Sequence, residues 1–138
     1  MNDEDWKHNV HEDEMLDFFH SVDYVMQRVR GLDRILILGA AKDPTAEVVG
    51  AMTDPRFEFC GFDLLNVGIS SLLNCGGGFE KAFHPKELSS VGLILDLTRA
   101  VEVHQKLREA YPDEPHADCD LWALWRMIDQ PTSSTTVA

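Results

Sequence analysis

The chain has 138 residues, the size of one ordinary domain. With 44% hydrophobic and 26% charged residues it is neither collagen-like nor of low complexity. Its 24 acidic against 12 basic side chains, a net charge of −12, set it against phosphate backbones and anionic lipid, so neither a nucleic-acid nor a membrane partner is expected.

The charge is unevenly placed. Residues 1–23 hold eight acids and one base, whereas 24–42 are net basic through Arg28, Arg30, Arg34 and Lys42. Residues 64–110 balance, and acids are again in excess over 43–63 and 111–138. The acidic start lacks a basic region followed by an apolar one, so no signal peptide is expected. No apolar run approaches the roughly 20 residues that cross a bilayer. Cys60, Cys75 and Cys119 are an odd number in a chain large enough to bury a core, which favours reduced thiols and a cytoplasmic protein.

In chain order, the first predicted element is a helix over Glu12–Arg30. Met15, Phe18, Phe19, Val22, Val25, Met26 and Val29 recur at steps of three and four, and Gly31 follows as a stop. The run Arg34–Gly39 predicts a buried parallel-type strand. Asp43 and Pro44 then predict a helix start, with two turns over Thr45–Met52. Phe57–Leu65 predicts a second strand, completing a strand–helix–strand unit. Residues 66–83 predict a loop with at most a short helix over Ile69–Leu73, and Lys86–Ser90 a single helical turn. A second long helix is expected over Leu93–Tyr111, its inner stripe Leu97, Ala100, Val101, His104, Leu107 and Tyr111. Residues 119–127 fit a strand face (Cys119, Leu121, Ala123, Trp125) about as well as a helical stripe; the strand is preferred because it returns the chain to the sheet.

The expected architecture is therefore α/β: a small two- or three-layer domain over 1–129, with a short, mainly parallel sheet and two long amphipathic helices. Residues 1–11 are expected to be an acidic mobile start and 130–138 a disordered tail. The competing architecture is all-α and helical-repeat-like, because two Asp-Pro pairs stand eleven residues apart among Ala/Val/Leu-rich stretches.

Several groups are candidates for chemistry. Asn74-Cys75-Gly76-Gly77-Gly78 places a thiol beside glycines that can turn N–H groups toward an anion, with His84 or His116 as a base; a buried or turn-adjacent thiol is the plainer reading. His116 and Cys119 are weak metal candidates, since no second paired ligand motif accompanies them, and no metal or other cofactor is expected. Gly39 to Lys42 precedes a helix but matches no phosphate-loop pattern. No triad order or nucleophile elbow is present.

Among function classes, an acidic binding protein is favoured. Its expected partner is a basic protein, in the manner of an immunity or inhibitor protein that blocks a basic toxin or nuclease, and a homo-oligomer is left open. The acidic N-terminal block together with Asp113, Glu114, Asp118 and Asp120 supplies the expected docking acids, with Trp122 or Trp125 as an aromatic anchor. The alternatives are a small α/β enzyme built on Cys75 or His116, and a helical scaffold.

Overall fold

A computed structural model describes residues 9–12, 17–19, 21–32, 36–66 and 70–128. The chain divides into two compact units, Met1–Ile37 with Ile128–Ala138, and Leu38–Met127. The expected tail 130–138, and residues 1–8 of the expected mobile start, lie outside the described residues.

In the first unit, β1 (Asn9–Glu12) pairs antiparallel with β2 (Asp17–Phe19), and α1 (Val22–Arg28) follows. The predicted helix over Glu12–Arg30 is thus corrected. Ser21 is an N-cap: its hydroxyl accepts the Tyr24 N–H at 3.1 Å and starts the helix at Val22. Upstream of that cap, Phe19 is in a strand and its ring lies 5.6 Å from that of Tyr24. The three-and-four spacing ran unbroken through a cap that the hydrophobic pattern alone does not register.

The second unit contains β3 (Leu38–Lys42), α2 (Ala46–Ala51), β4 (Phe57–Asn66), β5 (Ser70–Ser71), α3 (Leu97–Ala110) and β6 (Asp120–Met127). Its sheet has the order β3-β6-β4-β5, and every neighbouring pair is antiparallel. This overturns the mainly parallel sheet and equally the all-α, helical-repeat alternative. The reason is topological. β3 and β4 both run antiparallel to β6, so they run in the same direction as each other with α2 between them in sequence, as a strand–helix–strand unit requires. β6 occupies the place between them. Residues 120–127 are accordingly a strand, not a helix.

Local boundaries also move for identifiable reasons. The strand expected over Arg34–Gly39 is β3, four residues further on, because Leu38 to Lys42 are the residues in register with Arg126 to Trp122. Helix α2 is capped by Thr45, whose hydroxyl accepts the Val48 N–H at 3.2 Å; Asp43, expected as the cap, turns the chain at φ 50°. Helix α3 starts after Asp96, which accepts the Arg99 N–H at 2.9 Å, so Leu93 and Ile94 precede it.

The core lies on one face of the sheet. Phe62 and Leu64 of β4 and Leu121, Ala123 and Trp125 of β6 alternate inward and meet Ala100, Val103 and Leu107 of α3. Val103 takes the place that the predicted stripe gave to Val101, which is exposed. Among the described residues no helix is long and apolar enough to cross a membrane.

β4 reaches this core through a bulge at Phe59/Gly61. Beyond it, Phe62 and Ile94 exchange backbone hydrogen bonds at 2.7 and 3.1 Å, which brings the 93–95 segment across the strand. Gly61 permits the crossing: its φ is 139°, and a Cβ there would stand 2.9 Å from both the Ile94 carbonyl oxygen and Leu93 Cβ. Gly61→Ala is therefore expected to lower unfolding free energy by about 1–3 kcal/mol, from backbone strain alone, in urea denaturation.

Candidate functional site

The most ordered gathering of predicted site residues is the connection from α3 to β6. Pro112 ends the helix, and residues 115–117 form a 3₁₀ turn held by Ala117 N–H to Glu114 O at 3.0 Å and Asp118 N–H to Pro115 O at 3.2 Å. Asn66, at the end of β4, clasps this turn from the strand next to β6. Its Nδ2 donates to the Pro115 carbonyl at 3.1 Å and to that of Asp118 at 2.7 Å. The loop thus presents Asp113, Glu114 and Asp118, all exposed, on a held backbone. Asp113 and Asp118 form no ion pair among the described residues. Asp120, already in β6, differs: its carboxylate lies 3.5 Å from Lys42 Nζ of β3, and both side chains are close to half exposed.

The two indoles are not on that surface. Trp122 and Trp125 are each 5% exposed and project to opposite faces of β6, as their odd spacing in a strand requires. Trp125 joins the core, where its ring meets Phe59 at 5.6 Å; Trp122 stands opposite Asp63 of β4 and Lys42 of β3.

The candidate thiol loop has its own geometry. Gly76, Gly77 and Gly78 all have positive φ, between 97° and 108°, so the turn after Cys75 is one that side chains rarely allow. Cys75 is exposed, and its thiol contacts the Gly77 carbonyl at 3.9 Å. The N–H group of Gly78 donates to Glu80 Oε1 at 3.2 Å. Hydrogen bonds from the backbone of Glu80 itself and from Gly78 hold that carboxyl below its ordinary range. A carboxylate of the chain thus already occupies the Gly78 amide, one of the donors an anionic substrate would use.

His84 is engaged elsewhere. Its Nδ1 accepts the Lys86 N–H at 3.2 Å and its backbone N–H donates to Glu87 Oε2 at 2.7 Å, a capping box that starts the turn Pro85–Glu87. Glu87 also takes two hydrogen bonds from Arg99 of α3, at 2.6 and 3.0 Å. Those bonds, helped by the His84 N–H, depress the Glu87 carboxyl to about 2. Arg99 further reaches Glu102 and the Ala82 carbonyl, binding the turn to the helix.

For the metal candidates, the side chain of His116 lies outside the described residues. Cys119 is buried, its thiol directed to the Ala117 carbonyl at 3.5 Å, and burial pushes it up to about 11. A thiol so protonated is a poor ligand. Among the described residues no group of three His, Cys, Asp or Glu side chains is arranged to hold a metal ion. Cys60, at the β4 bulge, is also pushed up by burial.

One polar residue escaped sequence reasoning altogether. Asp63 is 6% exposed, in the middle of β4. Its Oδ1 accepts the Leu64 N–H at 2.8 Å and the Ser71 hydroxyl at 2.7 Å. Burial raises its carboxyl above the ordinary value, and the bonds from Ser71 and Leu64 oppose that rise. The available signal was an aspartate inside the apolar run Phe57–Leu65.

No protein family, curated protein or solved structure matches the chain.

Two measurements check this geometry. Iodoacetamide on the native protein should alkylate Cys75 first and Cys119 only on unfolding, read by peptide mass spectrometry; early labelling of Cys119 would contradict its burial. Because the Glu87 carboxyl is depressed, its stabilising contribution is present above about pH 4.5 and lost as pH falls toward about 2. Glu87→Gln should accordingly flatten the acid side of the Tm–pH curve in that window.

Proposed function

We propose that this protein is an acidic binding protein that docks a basic protein partner through the 112–118 loop, as an inhibitor or immunity protein of a basic toxin or nuclease would. The observation that carries this reading is the clasp of Asn66 on the loop backbone, which holds three exposed carboxylates in place. A preorganised loop loses little conformational entropy on association, and a concentrated negative field speeds the approach of a basic surface. Asp113 and Asp118 also need not release an internal cation among the described residues. With Trp122 and Trp125 buried, the docking rests on the carboxylates and not on an indole anchor.

The partners to assay are basic proteins encoded by the genes that flank this one. The association rate should fall with added salt, and at low salt should fall about tenfold when Asp113→Asn, Glu114→Gln and Asp118→Asn are combined, with a smaller change in dissociation. Absence of binding, or binding indifferent to both salt and the triple change, overturns the reading.

A further inference from the structure

The hydrogen bonds of Asp63 continue past Ser71. The Ser71 oxygen, whose proton is given to Asp63 at 2.7 Å, accepts from Asn74 Nδ2 at 2.9 Å, and the same Asn74 nitrogen donates to the Gly92 carbonyl at 2.8 Å. Four residues from β4, β5, the start of the glycine turn and the 89–92 turn are thereby joined in one directed chain. Its direction is imposed by its inner end. An ionised carboxylate can only accept, so Ser71 must donate inward, and its remaining lone pairs are left for Asn74. The outer end supports the turn that carries Cys75, the exposed thiol.

We propose that Asp63–Ser71–Asn74–Gly92 is a proton-operated latch: ionised Asp63 holds the entry to the glycine turn closed on the 89–92 turn, and protonation of Asp63 loosens it. Protonation removes the charge assistance from the Ser71 bond and frees the carboxyl to act as a donor, so the order of the chain is no longer dictated. The other charged groups on the Asp63 face are paired with one another. On the sheet face of Asp63, β6 presents Trp122 directly opposite and Asp120 beside it, and β3 presents Lys42, which is paired with Asp120. β4 itself adds Glu58, paired with Arg126, and β5 adds only Ser71 and Ser70. The Cys119 thiol, which the Asp63 charge helps to raise, is neutral throughout the acidic range.

The latch makes local and global effects differ in sign. Opening leaves Asp63 buried but without the Ser71 bond that favours its charge, so protonation favours opening. Unfolding hydrates Asp63, whose carboxyl in the folded chain lies above the ordinary 3.8. Its contribution to global stability is thus present in full below about 3.8 and is lost as pH rises through the folded value. Acidification should loosen the turn while this one group strengthens the fold.

The experiment is an NMR titration of the intact protein from neutral to acidic pH, following the Asp63 carboxyl carbon and the Asn74 side-chain amide. In the wild type, the Asn74 signals should shift with the same midpoint as Asp63. In Ser71→Ala the Asp63 midpoint should move upward and the Asn74 response should be lost. Asp63→Asn should show the loosened Asn74 signals at every pH; if it fails to fold, Ser71→Ala still decides. Asn74 signals that stay flat through the Asp63 titration, or a midpoint unmoved by Ser71→Ala, overturn the latch.

Discussion

The middle position of β6 is the constraint on which the second unit depends. Its eight residues lie along β4 from Phe57 to Leu65, and five of them, Trp122 to Arg126, are also paired with β3 through Leu38 to Lys42. A central strand has no water to satisfy its backbone and must be paired along its length, so its register fixes that of both neighbours. The same register sends Trp125 and Ala123 into the core against α3 and Trp122 to the opposite face. It also delivers the 112–118 loop to the end of β4, where Asn66 can reach it. Without that central strand β3 and β4 would be two like-directed strands without a ladder between them.

How much of this was legible from the residues alone varied with the range of the interaction. β4 was visible as an apolar run between Pro55 and Asn66, and α3 as a periodic stretch ended by Pro112, because both signals are local. The strand nature of residues 120–127 was legible only by asking where the chain must return. The direction of pairing was not legible, since a short apolar run suits a central antiparallel strand as well as a parallel one when both of its faces are covered. Nor was the Asn66 clasp, because the carbonyls it binds lie 49 and 52 residues away and nothing in an isolated asparagine indicates them. Asp113, Glu114 and Asp118 share one loop and Asp120 opens β6, an adjacency that follows from sequence proximity alone, whereas the burial of both indoles followed from the sheet that surrounds them.

Asp63 shows how a sheet tolerates a charge. Buried carboxylates are costly unless hydrogen-bonded, and a strand offers few spare donors because its amides are committed to the ladder. Here one donor is the backbone N–H of Leu64 and the other is the Ser71 hydroxyl, brought into reach by the two-residue strand β5. That short strand is difficult to justify by hydrophobic burial, since its residues are both serines. Its placement is explained by the carboxylate it serves, with the Leu72 N–H bond to the Leu64 carbonyl at 2.8 Å extending the pairing by one residue.

The acidic excess follows the same logic of commitment. Several acids are already engaged: Glu87 and Glu102 with Arg99, Glu102 also with Lys106, Glu58 with Arg126, Asp54 with Arg56 and Asp120 with Lys42. Exposed pairs of this kind add little stability individually, but they neutralise the local field. Over residues 64–110, where acids and bases are equal in number, such pairing leaves little net field. The α3–β6 loop has no base between Asp113 and Asp120 apart from His116, so its negative potential is not cancelled from within the segment. Pairing along α3 and a cluster of acids on a clasped loop concentrate negative potential at that loop within the second unit, which is the property the proposed docking depends on.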